Sequence, residues 1–260
     1  MSYFLLKFEK AGDRKNVALE RPTLGWCYAE LGELDKAIET LRSAAEACER
    51  LGVMQTQTYA LVNLAYALAL RGESAEAGSV QTAAAEACRA QGNPRLEGWS
   101  RAHLSTLSLG LRDSVTAERE AETAARLLVA SPGLCAWAEA ALARARLAQG
   151  DVEGAMAPSE RAYATLRSLG SILQCEALVP LARAEVLDAA ARIEERNEVI
   201  RYARARLMER ARKLTDRLQA SFLRLPDHAA TLGRAELWVG DGSTERPGVS
   251  TTDGALVHGR

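Results

Sequence analysis

The sequence predicts an all-α solenoid of about five antiparallel helical hairpins, and three observations carry that expectation. Of the 260 residues, 48% are hydrophobic but only 5% aromatic, and 49 are alanine. Such a surplus of the strongest helix former favours helix over sheet and excludes an all-β fold. A motif then recurs at a spacing of about 40 residues: Gly32-Glu-Leu-Asp-Lys-Ala37 is echoed by Gly72-Glu-Ser-Ala-Glu-Ala77 and Gly150-Asp-Val-Glu-Gly-Ala155, with the degenerate copy Arg112-Asp-Ser-Val-Thr-Ala117 between them. Ala44, Ala84, Ala124 and Ala162 each follow a copy at the same offset. Cys48 matches Cys88 and Gly52 matches Gly92, with Gly170 in a similar place after the last copy.

Taken in order, residues 1–19 form either an N-terminal cap or the second half of a truncated preceding repeat, with Tyr3, Phe4, Leu5, Leu6 and Phe8 as its apolar side. The solenoid is expected over 20–238. Each unit holds two apolar-periodic stretches broken by a glycine and an acidic residue, which joins a helix stop to a helix start. In unit two, Leu61, Leu64, Ala65 and Leu68 form one stripe, and Ala77, Ala84 and Cys88 mark the inward face of its partner helix. Alanine recurs where axes must approach closely. One hairpin cannot bury its own apolar faces, so neighbours must stack. The expected turns fall at Gly32, Gly72 and Gly150, with Arg112 the weakest. Unit five departs from the pattern: its first helix, about Ile172 to Ala189, contains Pro180 and should kink near Val179, and its second runs from about Arg192 towards Leu223. A short amphipathic segment follows to Trp238. From 239 to 260 the chain is rich in Gly, Ser and Thr and is expected to be a disordered tail.

The residues that carry this pattern resemble tetratricopeptide (TPR) repeats. Leu24-Gly25, Tyr28, Gly32, Ala37, Leu41 and Ala44 of unit one fit that family's small and large positions in order, and Leu64-Ala65, Leu68, Gly72, Ala77 and Ala84 do so in unit two. Gln81 departs by replacing a large apolar residue, and Ser108 and Arg146 stand where an aromatic is common. The family's repeat is 34 residues. The longer period here is similar to the variant found in sensor regions of large bacterial signal-transduction ATPases, kinase fusions and transcriptional activators. The resemblance implies a right-handed superhelix whose first helices line a concave groove. On that register the groove-facing residues are Trp26, Tyr59, Asn63, Tyr66, Trp99, His103, Trp137 and Arg144. Aromatic side chains in a concave surface are the usual anchors of binding hot spots. The lysine and asparagine set by which chaperone-binding members clamp a C-terminal carboxylate is missing apart from Asn63.

Charge and cysteine usage narrow the function further. With 33 Lys and Arg against 34 Asp and Glu, the net charge of −1 provides no global field to hold nucleic acid or an acidic membrane. Between Arg192 and Arg224 ten basic residues face five acidic ones, but the acids are interleaved and Ile200, Ala203, Leu207, Ala211, Leu214 and Leu218 describe one packed face. A solvated capping helix is the preferred reading, and nucleic-acid contact is the further alternative. Cys27, Cys48, Cys88, Cys135 and Cys175 are odd in number and widely spaced, as expected of reduced thiols in a cytoplasmic protein. No secretory signal or membrane-length apolar run is found. His103, His228 and His258 have no metal-ligand spacing, and neither a phosphate loop nor a nucleophile elbow occurs, so no catalytic residue, metal or cofactor is expected. The function expected is a non-enzymatic scaffold that binds a peptide or helix of another protein in its groove. The alternative is a small-metabolite sensor that uses the same aromatics.

Overall fold

The computed structural model describes residues 3–240, which are all-helical apart from turns and one loop. Five hairpins follow a short first helix, α1 (Tyr3–Lys10). They are α2 (Arg14–Glu30) with α3 (Leu34–Arg50), α4 (Met54–Arg71) with α5 (Ser74–Ala90), α6 (Pro94–Gly110) with α7 (Ser114–Leu127), α8 (Pro132–Ala148) with α9 (Val152–Leu169), and α10 (Leu178–Ala189) with α11 (Ile193–Ala211). Two further helices, α12 (Asp216–Leu223) and α13 (Pro226–Val239), end the described chain. The first helices of successive units pack side by side, α2 on α4, α4 on α6, α6 on α8 and α8 on α10. The second helices α3, α5, α7 and α9 each pack between the first helix of their own unit and that of the next, and α11 packs between α10 and α13. The molecule is therefore an α-solenoid with an inner layer of first helices and an outer layer of second helices.

The periodic alanines explain why the layers can approach so closely. Ala37, Ala44, Ala77, Ala84, Ala117, Ala124, Ala155 and Ala162 are all fully buried, as are Cys48 and Cys88. The expected turns form at Gly32, Gly72 and Gly150, each in the left-handed region. Arg112 occupies the equivalent place with φ 64°, a conformation that disfavours any residue carrying a Cβ. Aspartate or asparagine caps the N-terminus of α2, α6, α7 and α9, each accepting from the backbone N–H three residues on.

Substituted consensus positions are compensated locally. Gln81 is buried, and its amide donates to Oγ of Ser100 at 2.7 Å and to the Ser100 carbonyl at 3.1 Å, which ties α5 to α6. Arg146 pairs with Glu118 and Glu122, and so ties α8 to α7 by charge.

Several boundaries differ from the sequence expectation. α2 begins at Arg14, so the helix runs through the division expected at residue 20. The first helix of unit five begins at Leu178, not near 172, which places Pro180 in the first turn. There the missing N–H would have had no helical partner, so no kink arises. The preceding loop is held by Glu176, whose carboxylate accepts from the Ile172 N–H and pairs with Arg206. The long helix expected from Arg192 to Leu223 is broken after Ala211, and α12 turns away to join Phe222 and Leu225 with Leu34 and Leu70 of the first two units. α13 extends to Val239, and from residue 241 the expected tail lies outside the described residues, as does His258. No helix among the described residues is long and apolar enough to cross a membrane.

Candidate functional site

Side chains from α4, α6 and α8, the first helices of three successive units, converge on one hollow. Tyr66, His103, Trp137 and Arg144 come together there on a cavity of about 390 Å³. Its far wall is not part of any repeat: Cys175 comes from the loop before α10, and Pro226, Asp227 and Ala230 come from the start of α13. A second hollow of about 410 Å³ shares Leu109 and Arg144 with the first and continues towards Glu185, Arg234 and Trp238.

The rings form a continuous cluster, tilted between Tyr66 and His103 and edge-on between His103 and Trp137. His103 lies 4.5 Å from Tyr66 on one side and 4.5 Å from Trp137 on the other, and its Nε2 accepts from the indole N–H of Trp99 at 2.9 Å. That bond leaves the imidazole proton on Nδ1. Burial pushes His103 down to about 3, so the ring is neutral throughout the ordinary pH range. Trp137 is 1% exposed and Trp99 5%. Both therefore belong to the core, from which only Trp137 also lines this cavity, and the indole N–H of Trp137 is buried without a partner.

Charge collects around these rings. The Tyr66 hydroxyl donates to Glu30 at 3.2 Å, and burial lifts Glu30 to about 7 against the partial relief of that bond and of Arg210. Burial likewise raises the Tyr66 hydroxyl and the Cys175 thiol well above their ordinary values, so neither is a nucleophile at neutral pH. Arg144 bridges Glu185 at 3.1 Å and Asp227 at 3.3 Å, which fastens α13 to the inner layer.

The remaining expected groove residues lie elsewhere. Tyr59 meets Trp99 edge-on at 5.5 Å, and the pair lines a separate hollow of about 260 Å³. Asn63 is buried, its amide donating to the Tyr59 carbonyl. Trp26 is partly buried, and its indole N–H has no partner.

Glu30, Cys175, Glu185 and Asp227 belong to the site although no sequence pattern pointed to them. For Glu30 a sign existed, because the repeat register places it in the column of Leu70, Gly110 and Ala148, where an acid is out of character. Asp227 and Cys175 come from segments without a repeat register. In the basic stretch, Arg192, Arg196, Arg206, Arg210, Lys213 and Arg217 each lie against a carboxylate.

No family model matches this sequence, and no curated protein sequence matches it. Among solved structures the fold is similar to that of a Rap protein complexed with competence and sporulation factor, with a TM-score of 0.59 and 12% identity over 85% of this chain and 63% of that one. It is also similar to BtubC (BKLC) from P. vanneervenii, with a TM-score of 0.53 and 14% identity over 98% of this chain and 97% of that one. The chain thus spans somewhat under two thirds of the Rap protein's length. At these identities the likeness is one of fold, a TPR-like helical repeat.

Proposed function

We propose that this chain is a non-enzymatic interaction module that holds a peptide or helix of another protein against its concave side. The observation that carries the reading is the convergence of Tyr66, His103, Trp137 and Arg144 from three successive inner helices on one cavity that continues into a second. Such a wall combines large apolar area with a few fixed polar groups, the composition that anchors a bound segment. The chemistry of the site supports binding over catalysis, since His103 is held neutral by burial and the Cys175 thiol is raised. The likeness to a Rap protein complexed with competence and sporulation factor supports a place in signalling. The long repeat period is in keeping with a bacterial regulator acting in the cytoplasm.

A small-metabolite sensor is the second reading, favoured by the cavity's size, which falls within the several hundred Å³ typical of small-ligand sites. Selection from a random peptide display library against the immobilised chain separates the two. Peptides that bind the wild type and lose about ten-fold or more with Arg144→Gln support the module. Selection of nothing above background, combined with a metabolite that raises the melting temperature, supports the sensor.

A further inference from the structure

The eight-residue α12 is set off by a break at 212–215 on one side and by Arg224 and Leu225 on the other, and it lies against the opposite end of the solenoid. Ser221 Oγ donates to the Leu31 carbonyl at 2.9 Å, and Arg217 reaches both oxygens of Glu33 at 2.6 and 2.7 Å. The Gly32 backbone touches Ser221 so closely that a Cβ at Gly32 would collide with the Ser221 carbonyl. Phe222 enters an apolar cluster with Leu34, Leu70, Leu207 and Ala211. These contacts join residues up to 190 positions apart and close the arc of inner helices into a ring. The same segment leads directly into Pro226, Asp227 and Ala230, the far wall of the concave cavity.

We propose that α12 is a releasable clasp, whose contact with the α2–α3 turn holds the ring shut and whose release opens the concave cavity. The inference rests on the binding reading only for what then enters. Solenoid units contact their neighbours alone, so nearest-neighbour packing does not fix the distance from the first unit to the fifth, and an end-to-end contact does. The clasp is also the kind of element that opens first. A helix of eight residues is not stable by itself. In α12 only Phe222 is buried, and the Arg217 side chain is 65% exposed, where an ion pair contributes little. Few buried contacts and an exposed polar seam place α12 at the low end of local stability. α13 has an anchor of its own: Thr231 and Ala235 are buried, and the guanidinium groups of Arg196 and Arg234 both lie against the Trp238 ring, so it can stay docked when α12 leaves.

The test is amide hydrogen exchange on the full chain, read together with maleimide labelling of Cys175, which lines the cavity, against Cys135, which does not. Arg217→Glu sets two like charges face to face. It should raise exchange over residues 216–223 and 31–34 by about three-fold or more and speed Cys175 labelling relative to Cys135, with α5 to α9 unchanged, whereas Arg217→Lys should behave as wild type. Should Arg217→Glu not fold, Ser221→Ala, which removes the bond to Leu31, is read in the same way. The clasp is overturned by unchanged exchange in α12, by exchange that rises in every helix together, or by a freed α12 with no change at Cys175. A chain that opens as described yet takes up no selected peptide loses the binding reading and keeps the clasp.

Discussion

The indole N–H of Trp99 donates to Nε2 of His103 one turn further along α6, and this bond sets the tautomer of the ring that lies between Tyr66 and Trp137. Two rings drawn from different repeats are thereby held in register by a third. Trp99→Phe keeps the apolar bulk but leaves His103 Nε2 buried without a donor, and it should cost about 1–3 kcal/mol of folding stability. Trp137→Ala empties a fully buried site and should cost about 3–5 kcal/mol. Urea denaturation measures both, and a Trp99→Phe variant as stable as wild type would refute the role given to the bond.

The same burial makes His103 a source of acid sensitivity. Its folded value, pushed down to about 3, lies below its ordinary 6.5, so its contribution to stability is complete above 6.5 and is lost as pH falls towards 3. The rings packed on it, Tyr66, Trp99 and Trp137, carry no charge in that range. His228, also lowered by burial, acts in the same direction. His103→Gln should therefore flatten stability against pH below 6.5, and NMR titration should find the His103 ring neutral at pH 5.

Glu30 has the opposite sign. Burial raises it from 4.5 to about 7, so its favourable contribution is present below 4.5 and is lost as pH rises through 7. Glu30→Gln keeps an acceptor for Tyr66 and removes the buried charge. It should be increasingly stabilising relative to wild type between pH 4.5 and 7, by on the order of a few kcal/mol at the upper end. Equal melting temperatures for the two proteins at pH 5 and at pH 8 would contradict this.

Gln81 and Ser100 form a matched pair across α5 and α6. Gln81→Leu restores the apolar residue common at that position of the repeat but leaves Ser100 Oγ with one partner fewer in a buried place, and should cost about 1–2 kcal/mol. Adding Ser100→Ala should recover most of it. A double-mutant cycle with no coupling energy would show that the bond contributes nothing.

Arg112 is one of three non-glycine residues among those described with positive φ, and it stands where three other units place glycine. Arg112→Gly should relieve the left-handed strain and stabilise the protein by about 0.5–1 kcal/mol, less the extra freedom that glycine gives the unfolded chain. A drop in melting temperature would mean that Arg112 makes a contact worth more than the strain.

The repeat was legible in the sequence by itself because its determinants are local and recur. Glycine at a turn, an acidic residue after it and alanine at each close crossing act within one hairpin, and copying them about every forty residues fixes units, layers and core without knowledge of the whole. Of the eight residues expected in the groove, Tyr66, His103, Trp137 and Arg144 line one cavity, although they come from three different columns of the repeat register. Only the tertiary structure decided what stands opposite them. The break after Ala211, the turn of α12 onto Leu31 and Glu33, and the arrival of Cys175 and Asp227 at the cavity depend on where the accumulated turn of five units places the end of the chain relative to its beginning. That angle is a sum of small rotations between neighbours, and no residue encodes it alone. The burial of Trp99 and Trp137 has a related origin, because a ring on the first helix of one hairpin becomes core once the neighbouring units pack against it.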